Sequence, residues 1–283
     1  MKKILWIPAI LMIFGLGALS CEDEKAVNSS CDHYAEDPFE YTVEITDQVR
    51  FRLAGITGSV EITGQPGVET ITIAGEKRVG ASSTSEAEAH LSDIEVDIQD
   101  GDDEVFVRTV HHGDAEGRSY SIDYVITLPP ELEVRVTHLT GEVSVRETVN
   151  EIRVSVTTGG VTLEDVHGDA DLDVTTGNLT LDEFYGSASA DLITGNLFCR
   201  AYLPPGGELD LKTITGQMTV QIPESTSAEL TASVSTGQIN FSNLPLQDPN
   251  ISNTYVSGRL GDGDGSITLQ VIIGQLNVAG FEE

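Results

Sequence analysis

Two acidic stretches carry the clearest hint of chemistry. Gly261-Asp262-Gly263-Asp264-Gly265 sets two carboxylates two residues apart, close enough to share a hard cation such as calcium. An EF-hand loop would need a further acid downstream, and the seventh residue after Gly265 is Ile272. Tandem Gly-Asp is also good turn chemistry, and a turn is the expectation. Asp100, Asp102, Asp103 and Glu104 form a second acidic turn, read in the same way. His111-His112 lies in an expected loop. Neighbouring histidines on an extended chain point apart, so solvated side chains rather than metal ligands are expected.

Asp171, Asp173 and Asp191 meet only if segments 18 residues apart lie side by side. Converging carboxylates, often with calcium, are what a carbohydrate-active β-helix enzyme would need. Ser189 interrupts one such row and Lys212 follows Asp191 in the other. No Arg or Lys is placed as a base beside the three. A solvated charged face that discourages edge-to-edge association is the preferred reading. No GxSxG, HExxH, P-loop or dinucleotide fingerprint occurs in a suitable context. No catalytic, cofactor-binding or metal-binding residue is expected, and no cofactor.

Positioning residues of this kind falls to a repeat. A residue followed by glycine recurs as Thr140-Gly141, Thr158-Gly159, Thr176-Gly177, Thr194-Gly195, Thr215-Gly216 and Thr236-Gly237, with glycine spacings of 18, 18, 18, 21 and 21. Ser257-Gly258 extends the series by 21 with poorly fitting flanks, and Ile273-Gly274 restores the flanking pattern. Self-similarity at this period marks a repeat architecture. After Gly159 the apolar positions are Val161, Leu163 and Val166; the next copies give Leu179, Leu181 and Phe184, then Leu197, Cys199 and Tyr202. The step of two within each run is a strand alternating inward and outward. A left-handed β-helix needs an aliphatic every six residues, but stepping from Leu163 gives Asp169 and Thr175. The expectation is all-β: a parallel β-helix or β-solenoid-like repeat with coils of 18–21 residues over 140–281, preceded by a less regular β region over 39–139. An antiparallel meander is the alternative, and it does not predict inward positions matching at an offset of 18. Stacked coils would set Arg146 over Glu164, Arg153 over Asp171 and Asp191 over Lys212. Thr84 to Ser92 is the one exception to the β pattern, a short helix or an acidic loop.

The chain opens MKKILWIPAILMIFGLGALSC. Two lysines, an apolar run over 4–19 and a small-residue end describe a secretory signal over 1–20. The run is short for a membrane span, which needs about 20 apolar residues. Ala18-Leu19-Ser20-Cys21 resembles a bacterial lipobox, which implies cleavage before Cys21 and a lipid anchor on it. Ordinary signal cleavage is the alternative. Glu22 is not the Asp tied to inner-membrane retention, so the outer membrane is favoured, with the protein periplasmic or surface-exposed. Residues 21–38 are acidic and aperiodic and read as a flexible tether. With Cys21 lipidated, Cys31 and Cys199 are left; export permits a bridge between them, and a buried free Cys199 with a linker Cys31 is the equal alternative. The formal net charge is −31, and a polyanion of that size does not bind nucleic acid non-specifically.

The stretches SIDYVITLPPELEVRVTHLTGEVSV, TTGGVTLEDVHGDADLDVTTGNLTLDEF and GDGDGSITLQVIIGQLNV resemble the bacterial putative-adhesin β-strand-repeat proteins, the domain of unknown function 4097 group. The resemblance runs over about 40–281 and implies an exported, non-enzymatic surface protein with no catalytic residues to carry over. The expected function is therefore an adhesin-like binding or structural lipoprotein of the cell envelope, held to the membrane through Cys21 and offering a glycan or protein ligand a surface. The alternatives are the β-helix enzyme and an envelope-stress sensor or scaffold module.

Overall fold

The computed structural model describes residues 32–113 and 115–282. The signal, Cys21 and Cys31 lie outside them. The described chain is all-β apart from a helix over Thr84–Ala89, with the Ser83 hydroxyl accepting the Glu86 N–H, and one 3-10 turn over Leu91–Asp93. Its strands form one large sheet of mostly parallel ladders.

From residue 140 onward the pairing follows the repeat. Each copy contributes two strand segments with a corner glycine between them. Before the corner, Ile152–Thr158 pairs in parallel with Ala170–Tyr185, setting Val154 on Leu172 and Val156 on Val174. After it, Val161 sits on Leu179 and Leu163 on Leu181. The fixed offset follows from burial on one side only, because a one-residue slip would turn every core side chain outward. Leu163, Leu181 and Cys199 line up in one interior row that runs from Val145 through Val220 to Val278, all at most 1 % exposed. A second row, on the strands before the corner, joins Val136, Val154, Leu172, Ala190, Leu211 and Leu269.

The corner explains the glycines. Gly141, Gly159, Gly177, Gly195 and Gly216 all have φ between 140° and 152°, a region that L side chains avoid. They also touch. A Cβ on Gly195 would stand 1.6 Å from the Gly177 carbonyl oxygen, and one on Gly216 would stand 1.6 Å from that of Gly195.

The structure corrects four expectations. The stack begins earlier than residue 140: Arg50–Thr57 and Val60–Gly64 pair in parallel with Glu133–Thr140 and Val143–Arg146, and Gly58 stands beneath Gly141. The tether expected to reach residue 38 gives way at residue 33, where His33–Glu44 pairs antiparallel with Thr70–Ala81 through twelve residues. This edge strand accommodates Pro38 because its outer side needs no ladder hydrogen bond. Tyr202 does not take the inward place of Phe184; Ala201 does, and Tyr202 lies on Tyr185 instead. Glu183, at φ 50°, adds one residue to that strand before Phe184, and the next copy lacks the bulge.

The fourth correction concerns order. Gly237 does not follow Gly216 in space. The last strand, Gly265–Phe281, runs between Glu208–Pro223 and Ala228–Ser242, parallel to both, and brings Gly274 between the two glycines. Gly258 falls outside the glycine row, because Tyr255–Leu260 runs antiparallel to Ala228–Ser242. Equal spacings of 21 cannot separate adjacency in sequence from adjacency in space, and IIGQLNV fits either neighbour: Met218 and Ile239 both pair with Leu276.

Replacing Gly195 by Ala should cost more than about 2 kcal/mol, since both the backbone region and the contact oppose a methyl group. Gly206→Ala, at φ 75° with nothing within 4 Å of the added carbon, should cost only the local strain of about 1–2 kcal/mol. Urea unfolding of the two variants beside the parent measures the difference.

Candidate functional site

The strands before the corner turn a charged face outward. One row across adjacent strands reads Arg52, Arg135, Arg153, Asp171, Ser189, Asp210, and the next reads Thr137, Ser155, Asp173, Asp191, Lys212, Gln270. Like charges in register repel, and neighbouring glutamates relieve the arginines. Arg50 donates to Glu133 at 2.7 Å, Arg135 pairs with the same carboxylate, and Arg153 pairs with Glu151 on its own strand. Arg52 lies over the Phe106 ring at 3.8 Å. The three expected cross-strand charge pairs are all in register. Of these three pairs, only Lys212–Asp191, at 3.9 Å, closes to ion-pair distance.

Asp173 and Asp191 are direct cross-strand partners, and Asp171 is two residues from Asp173. Burial, then repulsion from Asp171 and Asp191, raises the Asp173 carboxyl above the usual range. The three stand on an open face with Ser189 and Lys212 among them, as the spacing required. Among the described residues no group of three His, Cys, Asp or Glu side chains is placed to hold a metal ion.

The glycine-aspartate stretch is a turn built on one hydroxyl. Ser227 Oγ accepts the N–H groups of Asp262 and Asp264 and donates to the Asp264 carboxylate at 3.3 Å. In the other acidic turn, Asp100 accepts from the Gln48 amide at 2.7 Å. The adjacent histidines diverge. His111 ends the Glu104–His111 strand, its ring edge-on to Tyr120 at 4.2 Å, and His112 faces Glu95 at 3.1 Å. Cys199 is a free, fully buried thiol, and burial raises it to about 12, which leaves it unreactive.

Two features were missed in the sequence. His138 is 2 % exposed and sits in an interior row between Gly55 and Val156. Its Nε2–H donates to the Gly58 carbonyl at 2.8 Å, and its Nδ1 has no partner. Gly55 makes the room, since a Cβ there would lie 2.3 Å from Nδ1. The signal was present: His138 is two residues after inward-facing Val136. At the turn opposite the corner, His167 stacks on Tyr185 at 4.3 Å and Tyr185 on Tyr202 at 4.4 Å, with Phe281 edge-on to Tyr202. The offset of 18 between His167 and Tyr185 announces this stack too.

No family model matches the chain, and no curated protein matches it. Solved structures do. A "putative cell adhesion protein" from Clostridium sporogenes is 13 % identical, with a TM-score of 0.34, over 87 % of this chain and 100 % of that one. A "putative adhesin" from Parabacteroides distasonis is 9 % identical at a TM-score of 0.34, over 89 % and 98 %. A "putative lipid binding protein" from the same species is 11 % identical at 0.26, over 86 % and 96 %. These values are too low to transfer a property. No family model supports the resemblance to the 4097 group, which rests on the quoted stretches alone.

Two measurements check the electrostatics. Burial pushes the His138 imidazole below its ordinary 6.5, against backbone hydrogen bonds at Gly58 and Thr140 and the charge of Asp123. A base whose folded pKa is depressed binds more protons when unfolded, so stability falls as pH drops below 6.5. His138→Leu should lose that slope between neutral and mildly acidic pH, read from urea midpoints against pH. For Asp173 the sign is opposite: its raised carboxyl makes the ionised form unfavourable at neutral pH. Asp173→Asn should stabilise the fold at pH 7 by about 0.5 kcal/mol or less, an effect that shrinks in high salt.

Proposed function

We propose that this protein is a non-enzymatic, adhesin-like component of a bacterial cell envelope. Its body reads as a β-solenoid, and its lipid anchor as Cys21. The observation that carries the reading is the unbroken axial register: the same interior row passes through Val145, Leu163, Leu181, Cys199, Val220 and Val278 on successive strands. Such a body is a stiff rod with long, straight outer faces. Faces of that kind suit contact with an extended surface better than enclosure of a small substrate.

The anchoring part of the proposal rests on the lipobox-like Ala18-Leu19-Ser20-Cys21. Among the described residues no helix is long and apolar enough to cross a membrane. Two acyl chains hold a protein stably where one binds reversibly. Several of the similar solved structures carry adhesin in their names, and at TM-scores of 0.34 and below that likeness adds no weight.

The enzymatic reading needs Asp171, Asp173 and Asp191 to act on a glycosidic bond. Lys212 beside Asp191 and the open face around them favour a solvated charge cluster instead.

Two experiments test the proposal. A screen of the full chain against glycan panels and bacterial surfaces should show binding without product, and hydrolysis of any polysaccharide would reverse the ranking. Cys21→Ser should move the protein from the membrane fraction to the soluble fraction of a producing bacterium, measured by fractionation and immunoblot.

A further inference from the structure

Charge is distributed very unevenly over the outside of this molecule. Sixty-one of its 283 residues are charged, 15 basic and 46 acidic. The segments 157–162, 175–180, 193–198, 214–219, 272–277 and 235–240 contain none. These six segments are neighbours in space, in that order, through in-register parallel pairing. They make up the glycine corner and the first half of the strand that follows it. At a strand spacing of about 4.8 Å and a rise of about 3.3 Å per residue, the face is roughly 25–30 Å long and 20 Å around, on the order of 600 Å². The surfaces on either side carry the arginine and aspartate rows and the acidic bend of Glu147, Asp165 and Glu183.

What the face offers repeats along its length. Thr158, Thr176, Thr194 and Thr215 form an exposed hydroxyl row. Asn178, Asn196, Gln217, Gln275 and Gln238 form an amide row beside it. Ile193 and Ile214, 47 % and 36 % exposed, and Ile273, 51 % exposed, add aliphatic surface. Phe198 faces outward between Thr180 and Thr219.

We propose that this uncharged face is the binding site for a neutral, unbranched polysaccharide lying along the direction in which the strands stack. Three observations select that occupant. An anionic polymer would have to approach a molecule of net charge −31, and a cationic one would find its counter-charges on other faces; the complement of an uncharged strip is an uncharged ligand. The face falls short of the ~800 Å² that each partner buries in a standard protein interface, so a second copy of the chain is a poor fit, whereas one side of a narrow polymer fits within it. The same hydroxyl and amide return at every strand, so a chain of identical units meets an equivalent contact at each step, and weak contacts add along its length. Ring faces of the sugar pack on the isoleucines and Phe198, and its hydroxyls exchange hydrogen bonds with the threonine and amide rows.

The inference names the ligand and the face of the adhesin-like reading and rests on it. Its test is native electrophoresis of the full chain through gels containing neutral polymers (hydroxyethyl cellulose, xylan or mannan) or anionic polygalacturonate. Retardation by at least one neutral polymer, and none by polygalacturonate, is expected. Thr194→Asp and, as a near-isosteric second variant, Gln217→Glu should each weaken retention about tenfold, because a buried unpaired carboxylate is costly. Ser189→Asp, on the charged face, should leave retention unchanged. Thermal melts report that each variant is folded. Equal retention by polygalacturonate, no retention by any neutral polymer, or a doubling of molecular mass abolished by Thr194→Asp would overturn the proposal. Surface binding that persists in Thr194→Asp would leave the adhesin-like reading standing while removing this site from it.

Discussion

At the corner of each copy, the carbonyl oxygen of one glycine points at the α-carbon of the next. The approach is closer than any Cβ would allow, as at Gly177 and Gly195. That contact fixes the rest. It reinforces the register that one-sided burial demands, because only a glycine can stand over that carbonyl oxygen. It puts the bend at the same place in every copy, so the strands on either side stay parallel to their counterparts. It also decides which residues share a row, and therefore which chemistry the surface repeats.

Given that register, interior and exterior are specified together. Inward positions need only be apolar and of suitable size, and the row through Leu163, Leu181 and Cys199 tolerates a thiol among aliphatics. The opposite corner is looser. It holds a bulge in one copy, left-handed acidic residues at Glu147, Asp165 and Glu183, and rings that stack where the backbone permits. Variation collects there although glycine also stands over glycine, a Cβ on Gly186 falling 2.1 Å from the Gly168 carbonyl oxygen.

The parallel register, the interior row and the outward charge rows were legible because each depends on residues at a fixed offset. The same logic would have found the ring stack and His138, had aromatic and titratable residues been tracked along with aliphatic ones. Three features were not legible. The start of the stack at Gly58 lies 83 residues from its partner Gly141, with antiparallel strands and a helix between, so no short period announces it. The strand at His33 begins inside an acidic stretch whose composition suggests disorder, and its pairing with Thr70–Ala81 supplies the order. The insertion of Gly265–Phe281 was hidden because its apolar pattern suits both flanking strands equally.

That inserted strand bears on how the molecule is made. The segment that fills the gap between Met218 and Ile239 follows both of them in sequence, so a growing chain that has not yet reached it leaves that gap open. Folding that proceeds from the amino end must halt with one layer missing.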